Sequence, residues 1–411
     1  MTQPYRPYEA HPQAKALVLW LFCSAGLVFV MIVVGAITRL TESGLSMVEW
    51  RPLMGALPPL NEEEWHRVFT LYKASPEYTA KNFWMSLEDF KRIFFWEWFH
   101  RLLGRTIGMV YALPLLYFWV RGMIPQGFKL RLLGLLALGG AQGLMGWVMV
   151  QSGLIDRPSV SHFRLAAHLS LALLIFSLLI WTALSLRGVQ PAPHKALYRH
   201  AKIALGFLIC TILWGAFTAG LDAGLVYNET FPKMGGRWIP PEVFGHGPVW
   251  LALLQKPEGV QFLHRWLAVS TVLVISSLWI HGYLKRYGSL AFHLLAVMVF
   301  VQFTLGLWTL LSGVWIPAAA LHQSGAVLLL ALLIVNLKSL EDVVDTSPSG
   351  SPPFNPPSPK APEGAGMTKD ARANSVRFRS DARRKAYKTV REQRATQPKS
   401  NDESSRPLPT V

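Results

Sequence analysis

"EWFHRLLGRTIGMVYALPLLYFWV", residues 97–120, opens with Glu97, His100, Arg101 and Arg105 and continues as an almost unbroken apolar run. A stretch of about 20 apolar residues crosses a hydrocarbon core. Ionisable groups gathered at such a run are costly in a bilayer, so together they mark a functional site and call for a partner. The same test applied along the 411 residues, 51% hydrophobic and only 16% charged, predicts eight spans, near 15–37, 97–120, 130–150, 163–186, 200–222, 260–284, 289–312 and 318–338. The chain reads as an all-α integral membrane protein.

Short connections carrying Arg121, Lys129, Arg131, Arg187, Lys195, Arg199, Lys202, Lys285 and Arg286 place one side, with both termini, in the cytoplasm by the positive-inside rule. The long segment 38–96 then lies on the outer face, as a lid or a partner surface. The N-terminal residues lack the Arg-rich, acid-poor character of a transit peptide, which favours a bacterial plasma membrane over the mitochondrial inner membrane as the alternative. Cys23 and Cys210 both fall inside spans, so no disulfide framework or cysteine metal site is expected.

The two halves echo each other: "GAITRLTESGL" (35–45) with "GAFTAGLDAGL" (215–225), "HRLLGR" (100–105) with "HRWLAV" (264–269), and "QGLMGWVMVQSG" (142–153) with "QFTLGLWTLLSG" (302–313). Three echoes in the same order argue for two pseudo-symmetric four-helix bundles related by an axis along the membrane normal. The expected division is 1–190, 191–340, and a disordered tail at 341–411 that is first Pro/Ser-rich and then basic. Such a tail reads as a solvated segment resting on anionic lipid headgroups, and no motif supports a nucleic-acid partner.

Of twelve histidines, His100, His168, His264 and His322 fall toward the outer ends of the second and fourth helices of each half. A lone histidine in a membrane helix is as readily structural as ligating. Four at equivalent positions of a repeat point to haem iron gripped from two sides within a bundle. Four residues further along sit Gly104, Ala172, Ala268 and Ala326, small enough for a flat macrocycle, although small residues also serve helix packing. Arg101, Arg105, Arg164 and Arg265 lie within about a turn of these histidines and suit anionic propionates. The alternative for Arg101 is an i, i+4 pair with Glu97. Glu97 has Gln261 at the equivalent place before His264, which makes the two sites chemically unequal. His281 and His293, near the opposite ends, read as interfacial.

At these motifs the sequence resembles the haem A synthase family, in the branch without a cysteine pair in the first outer loop. "GAITRLTESGLSMVEWRPLMGALPPLNEEEW", "EWFHRLLGRTIGM", "QGLMGWVMVQSGL", "RLAAHLSLAL", "FLHRWLAV" and "ALHQSGAV" carry the resemblance in order over residues 15–338. It implies haem b held by His264 and His322 in the C-terminal bundle, and haem O received by the N-terminal bundle at His100 and His168. Glu97 would handle protons or stabilise a cationic intermediate. The implied reaction takes a methyl group of haem O through successive hydroxylations to the formyl group of haem A, for cytochrome oxidase biogenesis. The implied partners are a haem O synthase and an electron donor such as a ferredoxin, with a homo-oligomer possible in the membrane. The residues alone leave open a di-haem b-type electron-transfer protein or a haem carrier.

Overall fold

A computed structural model of the chain describes residues 12–49, 54–155, 158–188, 192–244 and 247–341. The basic tail, the extreme N-terminus and the boundary expected at 190/191 lie outside the described residues. Among the described residues the α-helices are α1 (Pro12–Leu40), α2 (Glu62–Lys73), α3 (Leu87–Val120), α4 (Lys129–Leu154), α5 (His162–Arg187), α6 (Lys195–Gly220), α7 (Val249–Gln255), α8 (Pro257–Leu284), α9 (Leu290–Leu311) and α10 (Ile316–Leu340). All but α2 and α7 are long and apolar enough to cross a membrane, which gives the eight spans expected and a multi-pass membrane protein.

One boundary is corrected. α3 begins at Leu87, ten residues before the expected start, because Ser86 and Asp89 form a reciprocal capping box there. Hydropathy misses these first turns, which carry Glu88, Asp89, Lys91 and Arg92. Glu97 and His100 therefore sit well inside a helix rather than at its mouth.

Helix packing repeats between the halves. α1 contacts α3, α3 contacts α4, α4 contacts α5, and α5 returns to α1; α6, α8, α9 and α10 close a second ring in the same order. The rings meet through α5–α6, α10–α1 and α5–α10. Exchanging α1 with α6 and α5 with α10 maps this set of contacts onto itself, as a two-fold relation requires. Both rings belong to one compact unit.

The largest apolar cluster among the described residues fills the end of the bundle opposite the long 38–96 segment. Leu17, Leu21, Leu132, Leu179, Leu197, Ile275, Leu278, Phe292, Leu295 and Leu333 are fully or almost fully buried there. Side chains such as Leu113, Leu130, Leu273, Leu294 and Phe300 point outward, as lipid-facing positions do, and Cys23 and Cys210 are free and exposed. The other half of each ring is left for the site.

The segment after α1 is a folded cap. Asn61 caps α2, and a five-residue π-helical turn, Tyr78–Asn82, follows it. Phe69 and Tyr72 from α2 stack on Phe90 of α3 with centroids 4.9 and 5.1 Å apart, and Trp65 meets Phe94 edge-on at 5.1 Å. These rings anchor the cap to the outer extension of α3. Phe90→Ala, by emptying the centre of this cluster, is expected to cost about 3–5 kcal/mol. Residues 62–85 should then become sensitive to protease at that face while the spans still insert; unchanged resistance would contradict the anchor.

Candidate functional site

Each of the four histidines faces a glycine on the neighbouring helix. A Cβ at Gly35 would lie 3.2 Å from His100, at Gly146 3.1 Å from His168, at Gly215 3.0 Å from His264, and at Gly306 2.8 Å from His322. A side chain at Gly306 would force the imidazole to shift and one at the other three would crowd it, so each glycine lets an imidazole approach a helix backbone closely. The pairs α1–α3 and α6–α8 correspond, as do α4–α5 and α9–α10. The motif echoes in the sequence are thus the glycine faces of histidine sites. The sequence reading found the histidines and missed these partners, although Gly35/Gly215 and Gly146/Gly306 recur in register within the quoted repeats.

Hydrogen bonds repeat as well. The Gln142 amide donates to the His168 carbonyl at 3.1 Å and the Gln302 amide to the His322 carbonyl at 2.9 Å, each also lying beside its imidazole. The His264 Nδ1–H donates to the Thr211 carbonyl at 3.1 Å. A carbonyl can only accept, so this bond fixes the tautomer and leaves Nε2 as a lone pair for a metal.

All four histidines are half-buried and open into one cavity of about 1610 Å³, lined by residues of both halves. Ordinary ligand pockets measure roughly 300–1,000 Å³, so there is room for more than one large ligand. His100 and His168 are close enough for their charges to interact, as are His264 and His322. Among the described residues no cluster of three or more His, Cys, Asp or Glu could hold a bare metal ion. Two imidazoles with room for a planar tetradentate ring are a donor set for haem iron.

The basic residues divide. Arg101, Arg105 and Arg265 line the cavity, whereas Arg164 is exposed, does not line it, and donates to the Val148 carbonyl at 2.8 Å. Arg101 donates to Glu97 Oε1 at 2.5 Å and to the Met47 carbonyl at 3.0 Å. Arg265 repeats this with Gln261 Oε1 at 3.2 Å and the Tyr227 carbonyl at 2.8 Å. The i, i+4 pair considered for Arg101 is therefore present, and it has a neutral counterpart in the second half. Glu97 is only 3% exposed, and its Oε2 accepts from Ser46 Oγ and from the Met47 backbone N–H, both at 2.7 Å. Both its oxygens act as acceptors, the arrangement that suits a carboxylate. In the second half the Arg265 Nε and Gln261 Nε2 donors are buried without a hydrogen-bond partner. Two such donors suit an anionic group on a ligand. His281 and His293 lie away from the cavity: His281 sits 3.4 Å from His200, Nδ1 to Nδ1, and His293 accepts from Trp279 at 3.1 Å.

The chain matches the family model COX15-CtaA, described as cytochrome oxidase assembly protein, over residues 18–334. It is 51% identical over 341 residues to a protein of Rhodospirillum centenum named heme A synthase, covering 81% of this chain and 91% of that one. Proteins of the same name from Nitrosospira multiformis and Rhizorhabdus wittichii are 43% and 46% identical, covering 82% and 80% of this chain and 96% and 95% of their own lengths.

Arg101→Leu would leave the Glu97 carboxylate buried without its cation and is expected to cost about 3–5 kcal/mol, seen as a lower thermal midpoint of the detergent-solubilised protein. Glu97→Gln keeps an acceptor for Arg101 but turns an NH2 toward the Met47 N–H, and should lower that midpoint by less than Arg101→Leu does. Equal losses in the two variants would contradict the asymmetry.

Proposed function

From the chain's membership of the COX15-CtaA family, and hence its activity of oxidising haem O to haem A, we propose that the α6–α8–α9–α10 ring holds haem b between His264 and His322. The α1–α3–α4–α5 ring then receives haem O at His100 and His168. The observation that carries this reading is the repeated histidine–glycine face, two per ring, opening into one cavity. The residues fit the group: His264 presents Nε2 as a lone pair, and the unpartnered Arg265 Nε and Gln261 Nε2 donors can take a propionate. When bound, haem b supplies one-electron redox chemistry at its iron. On this reading the chain divides near 190, with the substrate half first.

The asymmetry between the rings supports assigning substrate to the first. Glu97 places a fixed carboxylate in the cavity beside His100, held by Arg101, Ser46 and the Met47 N–H, where the second ring has neutral Gln261. A fixed anion stabilises positive charge that develops on a substrate during oxidation, and being held in advance it needs no reorganisation. Arg105, also lining the cavity, is assigned to haem O; Arg164, expected from the sequence to join it, does not line the cavity and is left out of the assignment. We infer that the cap, in its described parts 41–49 and 54–86, covers this ring and limits the access of water. We further infer that the cap faces outward, that a haem O synthase delivers substrate, and that a ferredoxin-class donor supplies electrons. The bacterial relatives fit a plasma membrane.

The test is expression of the chain and its variants in cells supplied with haem O but unable to make haem A, followed by separation of extracted haems by chromatography and mass. His264→Ala and His322→Ala should each lose haem b from the purified protein. Glu97→Ala and His100→Ala should keep haem b while haem A falls by about 100-fold or more, the scale of losing one fixed electrostatic group. Normal haem b after either His264→Ala or His322→Ala would overturn the ligand assignment.

A further inference from the structure

A second buried carboxyl lines the cavity. Glu77, immediately before the π-helical turn Tyr78–Asn82, is 4% exposed and lines the cavity together with Glu42, Lys81, Glu97 and Arg101. Single π turns are rare and gather at functional sites. The Tyr72 hydroxyl donates to Glu77 Oε2 at 3.0 Å and accepts from the Asn82 amide at 2.7 Å. That amide fixes the direction of the tyrosine's single proton, toward Glu77. Lys81 pairs with Glu42 at 3.1 Å, and both side chains are more than a third exposed, so this pair joins the cavity to the outer surface of the cap.

The two buried carboxyls differ in kind. Glu97 has an arginine, a serine hydroxyl and a backbone N–H as donors, and both oxygens are committed as acceptors. Among the described residues Glu77 has no cation bonded to it, and the Tyr72 phenol is its donor. The groups facing it are Tyr72 from α2, Glu42 after α1, Lys81 from the π turn, and Glu97 with Arg101 from α3. Burial, with the negative charges of Glu97 and Glu42 adding to it, pushes the Glu77 carboxyl up to about 8, against the opposing hydrogen bond from Tyr72 and the charge of Lys81. It therefore holds a proton at neutral pH. Unequal carboxyls in one site divide acid and base roles between them.

We propose that Glu77, and not Glu97, is the proton-carrying carboxyl of this cavity, giving its proton to an acceptor there and regaining one from the outer face through Lys81 and Glu42. The O–H bond of Glu77 breaks as its proton passes to a lone pair on an oxygen, of water or of a hydroxyl on the bound substrate, in the cavity. The resulting carboxylate is reprotonated from water beyond Lys81–Glu42, so no oxidant or other reactant is consumed. The proposal rests on the assignment of haem O to the first ring.

The test uses the purified full-length chain in detergent with its haem. Infrared difference spectra across a pH step should show the C=O stretch of a protonated carboxyl that disappears as pH rises through about 8. That band should be lost in Glu77→Gln and kept in Glu97→Gln. In haem A formation, Glu77→Gln should lower kcat by about 100-fold at neutral pH, the low end of what a proton-transfer group contributes. KM and haem content should be unchanged, and the fall in activity above about pH 8 expected of the intact chain should be absent. Lys81→Met, which cuts the outward link and spares Glu77 itself, should also slow turnover while keeping the band. Survival of the band in Glu77→Gln, or an unchanged pH profile with normal haem content, overturns the proposal. Normal haem A from His100→Ala would instead fail the assignment of the first ring, while the infrared band continues to report on Glu77.

Discussion

An imidazole is too wide to enter a tight four-helix ring unless a neighbouring backbone yields space. Here Gly35, Gly146, Gly215 and Gly306 yield it, one for each histidine, and no side chain larger than hydrogen could occupy those places without displacing the ring. The rest of the architecture follows from this constraint. The four histidines, each close against a neighbouring helix, line the hollow outer half of the bundle, and the largest apolar cluster fills the opposite end. The gain is a prepared ligand site; the cost is a protein whose packing is complete over only half its depth.

Much of this was legible in the chain itself. Eight spans are set by hydropathy, and their order and number agree with the folded helices. The four histidines, the Glu97/Gln261 difference and the repeat could be read from spacing. What escaped was anything decided by contact between distant segments. Charged residues at 88–92 concealed the first turns of α3, because capping by Ser86 and Asp89 rather than hydropathy begins that helix. Ser46 and Met47 meet Glu97 across half a hundred residues. Glu77 reads in sequence as one more acid in a hydrophilic loop, and only the folded cap shows it buried beneath Tyr72. The glycine partners were present in the quoted repeats, but a glycine in a membrane helix has several uses, and its facing residue is known only from packing.

Between the rings, geometry is kept while charge changes. Arg101 and Arg265 occupy equivalent positions, reach back four residues to an acceptor on the same helix, and donate to carbonyls of the preceding outer segment. Gln261 fills the acceptor role without charge, so the frame does not require a carboxylate. Its presence at Glu97 is then a departure that the scaffold tolerates because Ser46 and the Met47 N–H share the burden of holding it. A duplicated frame with one altered position is an economical way for a single chain to hold two chemically similar molecules for different ends.

The cavity is continuous across the two halves, with Thr38, Arg39 and Gln323 lining it alongside Ala219 and Asp222. Arg39 crosses from α1 to Ala219 and Asp222, and Gln323 crosses from α10 to Ile32. Two guests in one shared space cannot be thermodynamically independent. Whatever the first does to the wetting of the common wall or to these crossing contacts alters the affinity for the second, and the second must return the same factor to the first. On the proposed assignment, a filled cofactor half would set the terms on which substrate enters, and departure of product would loosen or tighten the cofactor by an equal amount.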